Sequence, residues 1–204
     1  RIMAGTVRKF LPGVPLIDAL GEPELDGAVD IWVPLSASYE KGREAFEAHR
    51  RRGDAIWFYT CCAPGGFNLN RFIDTELLRT RLLHWGNWRY RLDGYLHWGL
   101  NQIIEEQDPF ENTCPPHGPY KAFHLPPGDS HIVYPGKDGP WSSVRFEAMG
   151  AGIEDYELLR VVAARDEKLA DEICSQLVRT FTEYDATVDA FNAAHRRLLE
   201  AAGR

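Results

Sequence analysis

Long apolar runs are missing from this 204-residue chain. None approaches the roughly 18 to 20 consecutive residues that a bilayer-spanning helix needs, so no membrane span is expected. Cysteine is scarce: Cys61, Cys62, Cys114 and Cys174 are the only four, too few and too unevenly spaced for a disulfide-stapled fold. Basic blocks are absent as well. Lysine and arginine number 23 against 30 acidic residues, a net charge of −7, and no cationic helix offers a nucleic-acid backbone a place to dock. The chain has no internal repeat, no low-complexity tract and no compositional break, so residues 1–204 read as one domain or part of one. A secretory leader pattern is not visible either. The chain opens at Arg1 directly into the strand-like Ile2 to Val7, which points to an upstream segment and leaves the compartment undetermined.

Four short apolar runs carry strand character: Ile2 to Val7, Val29 to Leu35, Ala55 to Cys62 and Gly94 to Leu100. Their β-branched and aromatic residues are bounded by Gly, Pro and Asp. Tyr39 to Arg52 has the pattern of an amphipathic helix. So has the stretch from Arg71 to Tyr90, where Phe72, Ile73, Leu77, Leu78, Leu82, Trp85 and Trp88 fall largely on one face. The link Arg8 to Ala28 is rich in Pro and Gly and is expected to hold only a short helical piece around Leu16 to Leu20. Residues 102–142 hold most of the prolines and form a long connection, a kind that is usually functional. Within it, His131 to Tyr134 reads as a short extended piece. Val144 to Ala164 and Glu167 to Ala202 read as closing helices over 143–204, the second with Ile173, Leu177, Phe181, Val188, Phe191 and Leu198 spaced for burial.

Alternating strands and helices are the mark of right-handed βαβ crossovers and a parallel sheet. Four parallel strands with both edges open would leave backbone groups unpaired and apolar faces uncovered. The expected fold is therefore α/β: the C-terminal half of a (β/α)8 barrel followed by closing helices.

Several ordered motifs then carry a family resemblance. They are Trp57-Phe58-Tyr59-Thr60-Cys61, Asn70-Arg71-Phe72-Ile73-Asp74 and Asp93-Gly94-Tyr95-Leu96-His97-Trp98-Gly99-Leu100-Asn101. Tyr134-Pro135-Gly136, Ser143-Val144-Arg145-Phe146-Glu147 and Gly152-Ile153-Glu154-Asp155-Tyr156-Glu157 come after them. Over roughly residues 28 to 165 the chain resembles the C-terminal part of the glycoside hydrolase family 123 catalytic domain. The resemblance implies a (β/α)8 barrel that removes terminal β-linked N-acetylgalactosamine by substrate-assisted catalysis, without a protein-bound cofactor. In that family an adjacent Asp-Glu pair at the end of an earlier strand does the chemistry, the Asp orienting the acetamido nucleophile and the Glu protonating the leaving oxygen. The adjacent acidic pairs here, Glu154-Asp155, Asp166-Glu167 and Asp171-Glu172, all fall in the closing helices. The catalytic pair is thus expected upstream, in a missing N-terminal half of the barrel. A conventional two-carboxylate glycosidase is an alternative, as is a carbohydrate-binding or structural barrel that has lost its carboxylates.

Candidate substrate-binding residues sit near strand C-terminal ends, where barrel enzymes place function. Tyr59 could donate to an acetamido oxygen, as in substrate-assisted hexosaminidases with similar barrels, or be a core tyrosine. Trp98 could floor a sugar subsite or pack between sheet and helices. Asn101 matches a sugar hydroxyl as donor and acceptor, or serves a turn. Trp32, next to the irregular Pro34, and Trp57 are weaker candidates. Gly65-Gly66-Phe67-Asn68 could form a substrate-facing loop, Asp74 could cap the following helix, and Arg145 is expected to pair with Glu154 or Asp155. Cys114-Pro-Pro-His117 is a lone C-x-x-H without a second pair, so no metal is expected.

Overall fold

The computed structural model describes residues 2–117 and 123–203, except for the His117 side chain. The chain begins with helix α1 (Ile2–Phe10), then β1 (Ile17–Asp18), β2 (Ile31–Trp32), α2 (Ser36–Lys41) and α3 (Arg43–Arg51). Next come β3 (Ala55–Tyr59), α4 (Leu77–Tyr90) and β4 (Gly94–Leu96). The long connection contains two hairpin-like pairs, β5 (Pro116–His117) with β6 (Phe123–His124), and β7 (Tyr134–Gly136) with β8 (Gly139–Trp141). Three helices complete the order: α5 (Val144–Ala163), α6 (Glu167–Leu177) and α7 (Val188–Ala202).

Strands β1 to β4 form one parallel sheet in chain order. Helices α2 and α3 make the crossover from β2 to β3, and α4 makes the one from β3 to β4, so the alternation read from the sequence yields the expected parallel sheet. Its first member differs. Ile2–Val7 is helical and none of α1 is buried, whereas the Leu16–Leu20 piece expected to be helical supplies β1. A short apolar run carries no period long enough to separate helix from strand, and the deciding contacts are tertiary. The Leu16 carbonyl accepts from the amides of Asp30 and Ile31, and the Leu16 amide donates to the Asp30 side chain, which locks this segment alongside β2.

Register fixes the two faces of the sheet. Trp32 pairs with Ile56, and Phe58 with Tyr95. Trp32, Ile56, Phe58 and Thr60 are wholly buried under the helices, and Phe58 lies 4.8 Å from the Phe181 ring. The opposite face carries Ile17, Ile31, Ala55, Trp57, Tyr59, Gly94 and Leu96, none of them fully covered.

Gly42 divides the expected helix 39–52 into α2 and α3. A Cβ there would stand 3.2 Å from the Phe46 ring and 3.3 Å from the Ser38 carbonyl. Helix α4 starts at Leu77, not at Arg71, and no side chain caps it; Asp74, the expected cap, is exposed in the preceding turn. Its end is set by Arg91, whose φ of 52° stops the helix while its guanidinium lies 4.0 Å over the Trp88 ring and donates to Asp171. Trp85 and Trp88 pack in the core, as the helical pattern implies. The expected helix 167–202 is two helices. Between them Val178 bridges Tyr184, and Phe181 plugs into the core although no helix carries it.

Asp155, nine-tenths or more buried, ties α4, α5 and α7 together. It accepts from both Nε and Nη2 of Arg81 and from the Trp85 indole, and lies 3.1 Å from His195. Such a carboxyl group is tolerable in the interior because both of its oxygens meet donors. Arg145 is not its partner, contrary to expectation, and turns instead toward the sheet mouth. No helix among the described residues is long and apolar enough to cross a membrane.

Candidate functional site

Strands β3 and β4 end side by side, with Tyr59 paired to Leu96. The segments leaving these two strands build the site. After β3, Thr60 joins its hydroxyl to that of Tyr95 at 2.7 Å, and Cys61 and Cys62 place their sulfurs 3.9 Å apart. Asn70 holds this turn by donating to the carbonyls of Cys61 and Pro64. After β4 come His97, Trp98 and Gly99.

The long 102–142 connection returns to the same place. Leu100 and Gln102 hydrogen-bond with Ser130, Ile132 and Val133 through their backbones, and Asn101 bridges His131. This docking delivers Asp129, fully buried, to the strand ends. One Asp129 oxygen accepts from the Trp98 indole at 3.0 Å. The other lies 3.2 Å from His97 Nε2. That approach is off-line and falls outside hydrogen-bond angles, but both atoms are buried and neither has a hydrogen-bond partner among the described residues, so the electrostatic contact stands.

His97 Nδ1 faces two donors, Arg71 Nη2 at 2.6 Å and the Gly99 amide at 3.1 Å. An acceptor at Nδ1 requires the proton on Nε2, which sets the neutral tautomer. Burial is the main cause holding the His97 pKa down to about 4, with the nearby Arg71 and Arg145 charges acting in the same direction and Asp129 opposing them. Arg71 also donates to the carbonyls of Gly99 and Asp129, and its own pKa is lowered by burial to about 10. Arg145 closes the base of the cluster by donating to the carbonyls of Arg71, Gly128 and His131.

Tyr59 stands 6.4 Å from the His97 ring, at 65°. Burial, and after it the Cys61 thiol, pushes its pKa above the ordinary tyrosine value. Tyr59 is therefore a neutral O–H donor at any working pH. Burial likewise raises the Cys62 thiol to about 11. Trp98 lies stacked beside His97 at 19°, with 36% of its surface exposed.

The structure thus gathers Tyr59 and Trp98 around His97. Asn101, exposed, lies three residues beyond on the docked loop. Trp57 shares the open sheet face with Tyr59 but sits lower, its indole packed over Gly94, where a Cβ would come within 2.5 Å of the ring. Trp32 leaves the group. It belongs to the helix-facing side, buried against Phe46 and His49 with its indole donating to Asp54, because its register partner is the core residue Ile56. Arg71, His97 and Asp129 were not singled out by sequence reasoning. The first two stood within the family motifs; Asp129 lies in a Pro- and Gly-rich connection with no periodicity to mark it.

Five of the six acids in the adjacent pairs are engaged elsewhere, and the sixth, Glu154, is exposed on α5. Asp155 is held by Arg81, Asp166 caps α6 by accepting from the Leu169 amide, Glu167 and Asp171 bind Arg91, and Glu172 binds Arg197. Among the described residues no group of three His, Cys, Asp or Glu side chains is placed to hold a metal ion; the His117 side chain of the C-x-x-H sequence lies outside them.

A parallel α/β sheet whose strand C-terminal ends carry a tyrosine, an exposed indole and a buried polar cluster is the type of protein that keeps its function at the strand mouths. The chain belongs to glycoside hydrolase family 123: the model of the family's catalytic domain matches residues 2–162, extending the likeness ahead of residue 28. Its fold is similar to that of a family 123 glycoside hydrolase from Clostridium perfringens, described for hydrolysis of glycolipid glycans. That match has a TM-score of 0.58, 15% identity, and covers 91% of this chain and 34% of that one. The chain therefore spans about a third of that relative's length. No curated protein matches the sequence.

Proposed function

We propose that this chain forms the C-terminal portion of a (β/α)8 glycosidase that acts on a terminal β-linked N-acetylhexosamine. The observation that carries the reading is the convergence of Tyr59, His97 and Trp98 at the ends of adjacent parallel strands in a family 123 domain. Trp98 presents an indole face on which the C–H side of a pyranose can pack. Tyr59, kept protonated, donates to the acetamido oxygen and so holds the carbonyl that attacks the anomeric carbon. Asn101 serves a ring hydroxyl at the rim, and Phe67, 78% exposed on the loop after β3, lines the approach.

Two features support closure into a ring. One face of the sheet is covered by helices while Ile17, Ile31, Trp57, Tyr59 and Leu96 on the other are only partly covered, and apolar parallel strands are stable when both faces are shielded. The likeness to one third of a larger glycoside hydrolase supports the same reading. In this arrangement further strands bring the Asp-Glu pair opposite Tyr59, and the present chain supplies the wall that binds the sugar. The engagement of Asp155, Asp166, Glu167, Asp171 and Glu172 in helix contacts supports a catalytic pair outside these residues.

The test uses the full-length protein and a chromogenic β-N-acetylgalactosaminide. Hydrolysis is expected, with a substrate lacking the acetamido group cleaved at least about a hundredfold more slowly, on the order of a lost nucleophile's contribution. Equal rates on both would remove the substrate-assisted mechanism. No hydrolysis, with the saccharide still bound, would favour the carbohydrate-binding alternative.

A further inference from the structure

We propose that Asp129 is a positioning residue that fixes the Trp98 indole as a preorganised surface for the saccharide. The inference rests on the reading of Trp98 as a sugar-binding residue and adds to it the device that aims the ring.

A tryptophan at a strand mouth has several rotamers open to it, and freezing one on ligand binding costs affinity. Trp98 is more than a third exposed, too little buried for packing alone to choose its orientation. Among the described residues, two contacts act on it. The His97 ring lies alongside at 19°, and Asp129 Oδ2 takes the indole N–H at 3.0 Å. Because Asp129 is fully buried, its own side chain has no freedom to follow a wandering indole. The second oxygen faces His97 Nε2, so a single carboxyl group meets two N–H donors on consecutive residues and sets the relative placement of both rings. The buried Arg71 makes His97 the Nε2–H tautomer that this arrangement needs.

The cluster's location argues against a purely structural purpose. Buried charged and polar groups give little net stability over well-packed apolar residues. These groups lie at the sheet mouth, and the long connection is folded back onto residues 100–102 so that Asp129 reaches them. The connection thereby carries the orienting group for a residue on β4's extension, 31 positions away in sequence.

Asp129→Asn is the decisive change. A carboxamide carries one oxygen and one NH2, so at nearly unchanged volume it loses the charge and turns an N–H group toward either the Trp98 indole or His97 Nε2, where the carboxylate offered an oxygen to each. Trp98→Phe is the second variant, keeping an aromatic face and deleting only the donor and one ring. In the full-length protein acting on the chromogenic β-N-acetylgalactosaminide, each substitution is expected to raise KM about tenfold, the size of one lost charge-assisted hydrogen bond, with kcat changed by less than about threefold. The double variant should be no worse than either single one, because both remove the same constraint. The indole N–H resonance of Trp98, identified by its loss in Trp98→Phe, should shift in Asp129→Asn without any ligand. Additive effects on KM, or an unmoved resonance, would overturn the proposal. A shifted resonance in a protein whose wild type neither cleaves nor binds the saccharide would overturn it by a separate route, through the sugar-binding reading on which it rests.

Discussion

Arg145 shows what a single side chain does at the site's base. Its guanidinium donates to three buried carbonyls, those of Arg71, Gly128 and His131, which come from different parts of the chain. Burial lowers its pKa, with Tyr134 acting against that shift. Arg145→Ala leaves those carbonyls without their donor and is expected to destabilise the protein by about 3 kcal/mol or more, measured as a lower urea midpoint at unchanged slope. Arg145→Lys should rescue little, since an ammonium cannot span the same fan of acceptors. Residue identity was readable here, but not the partner. The motif Ser143 to Glu147 marked Arg145, and the nearby acids Glu154 and Asp155 made an ion pair the obvious choice. The choice failed because Arg145 sits near the start of α5 and points to the sheet, while Asp155 lies almost three turns further along, facing Arg81 on α4.

Among the elements, α4 and α5 pack closely, and Gly152 makes the approach possible. A Cβ at this position would stand 2.4 Å from the Arg81 carbonyl, a backbone atom that cannot step aside without moving the helix. Gly152→Ala is therefore expected to cost about 1–3 kcal/mol by overpacking, despite alanine's better helix propensity. A thermal melt checks it, and a stabilised Gly152→Ala would show that the helices can part freely. The sequence was legible where periodicity was long and regular: β3 and α5 lie close to where the pattern puts them, and α4 ends at the expected Tyr90 although it starts six residues late. It was illegible where one residue decides. Gly42 splits one helical pattern in two, and the 178–187 turn interrupts another while still burying Phe181. The first strand was displaced because Ile2 to Val7 and Leu16 to Leu20 are both short apolar stretches, and only the pairing of Leu16 with Asp30 and Ile31 selects the second.

For the molecule as a whole, three buried histidines set a pH response. His84, His97 and His131 are each held down to about 4, chiefly by burial. The unfolded chain binds protons at these histidines near pH 6.5 and the folded one does not until about 4. Their contribution to stability is therefore complete above about pH 6.5, is lost as the pH falls through the window between the two values, and changes no further below it. Melting temperature should fall across that interval. His97→Gln should show a shallower fall than the wild type; an unchanged slope would mean that His97 is charged in the folded state. The sheet is covered unevenly. Trp57 and Tyr59 alternate with Ile56 and Phe58 along one strand, yet only the second pair lies beneath helices.

By itself the sequence determined the α/β class, the parallel sense of the sheet, the family, and the placing of Tyr59 at the end of β3, because each follows from local periodicity or from an ordered motif, while Trp98, expected at the end of a strand 94–100, lies two residues beyond the shorter β4. Tertiary structure alone decided which apolar segment became the first strand, that Trp32 faces the helices, and that Asp129 reaches Trp98. Those outcomes depend on register and on contacts between residues far apart in the chain, where a shift of one position turns a side chain to the opposite face. No pattern within a local window encodes them.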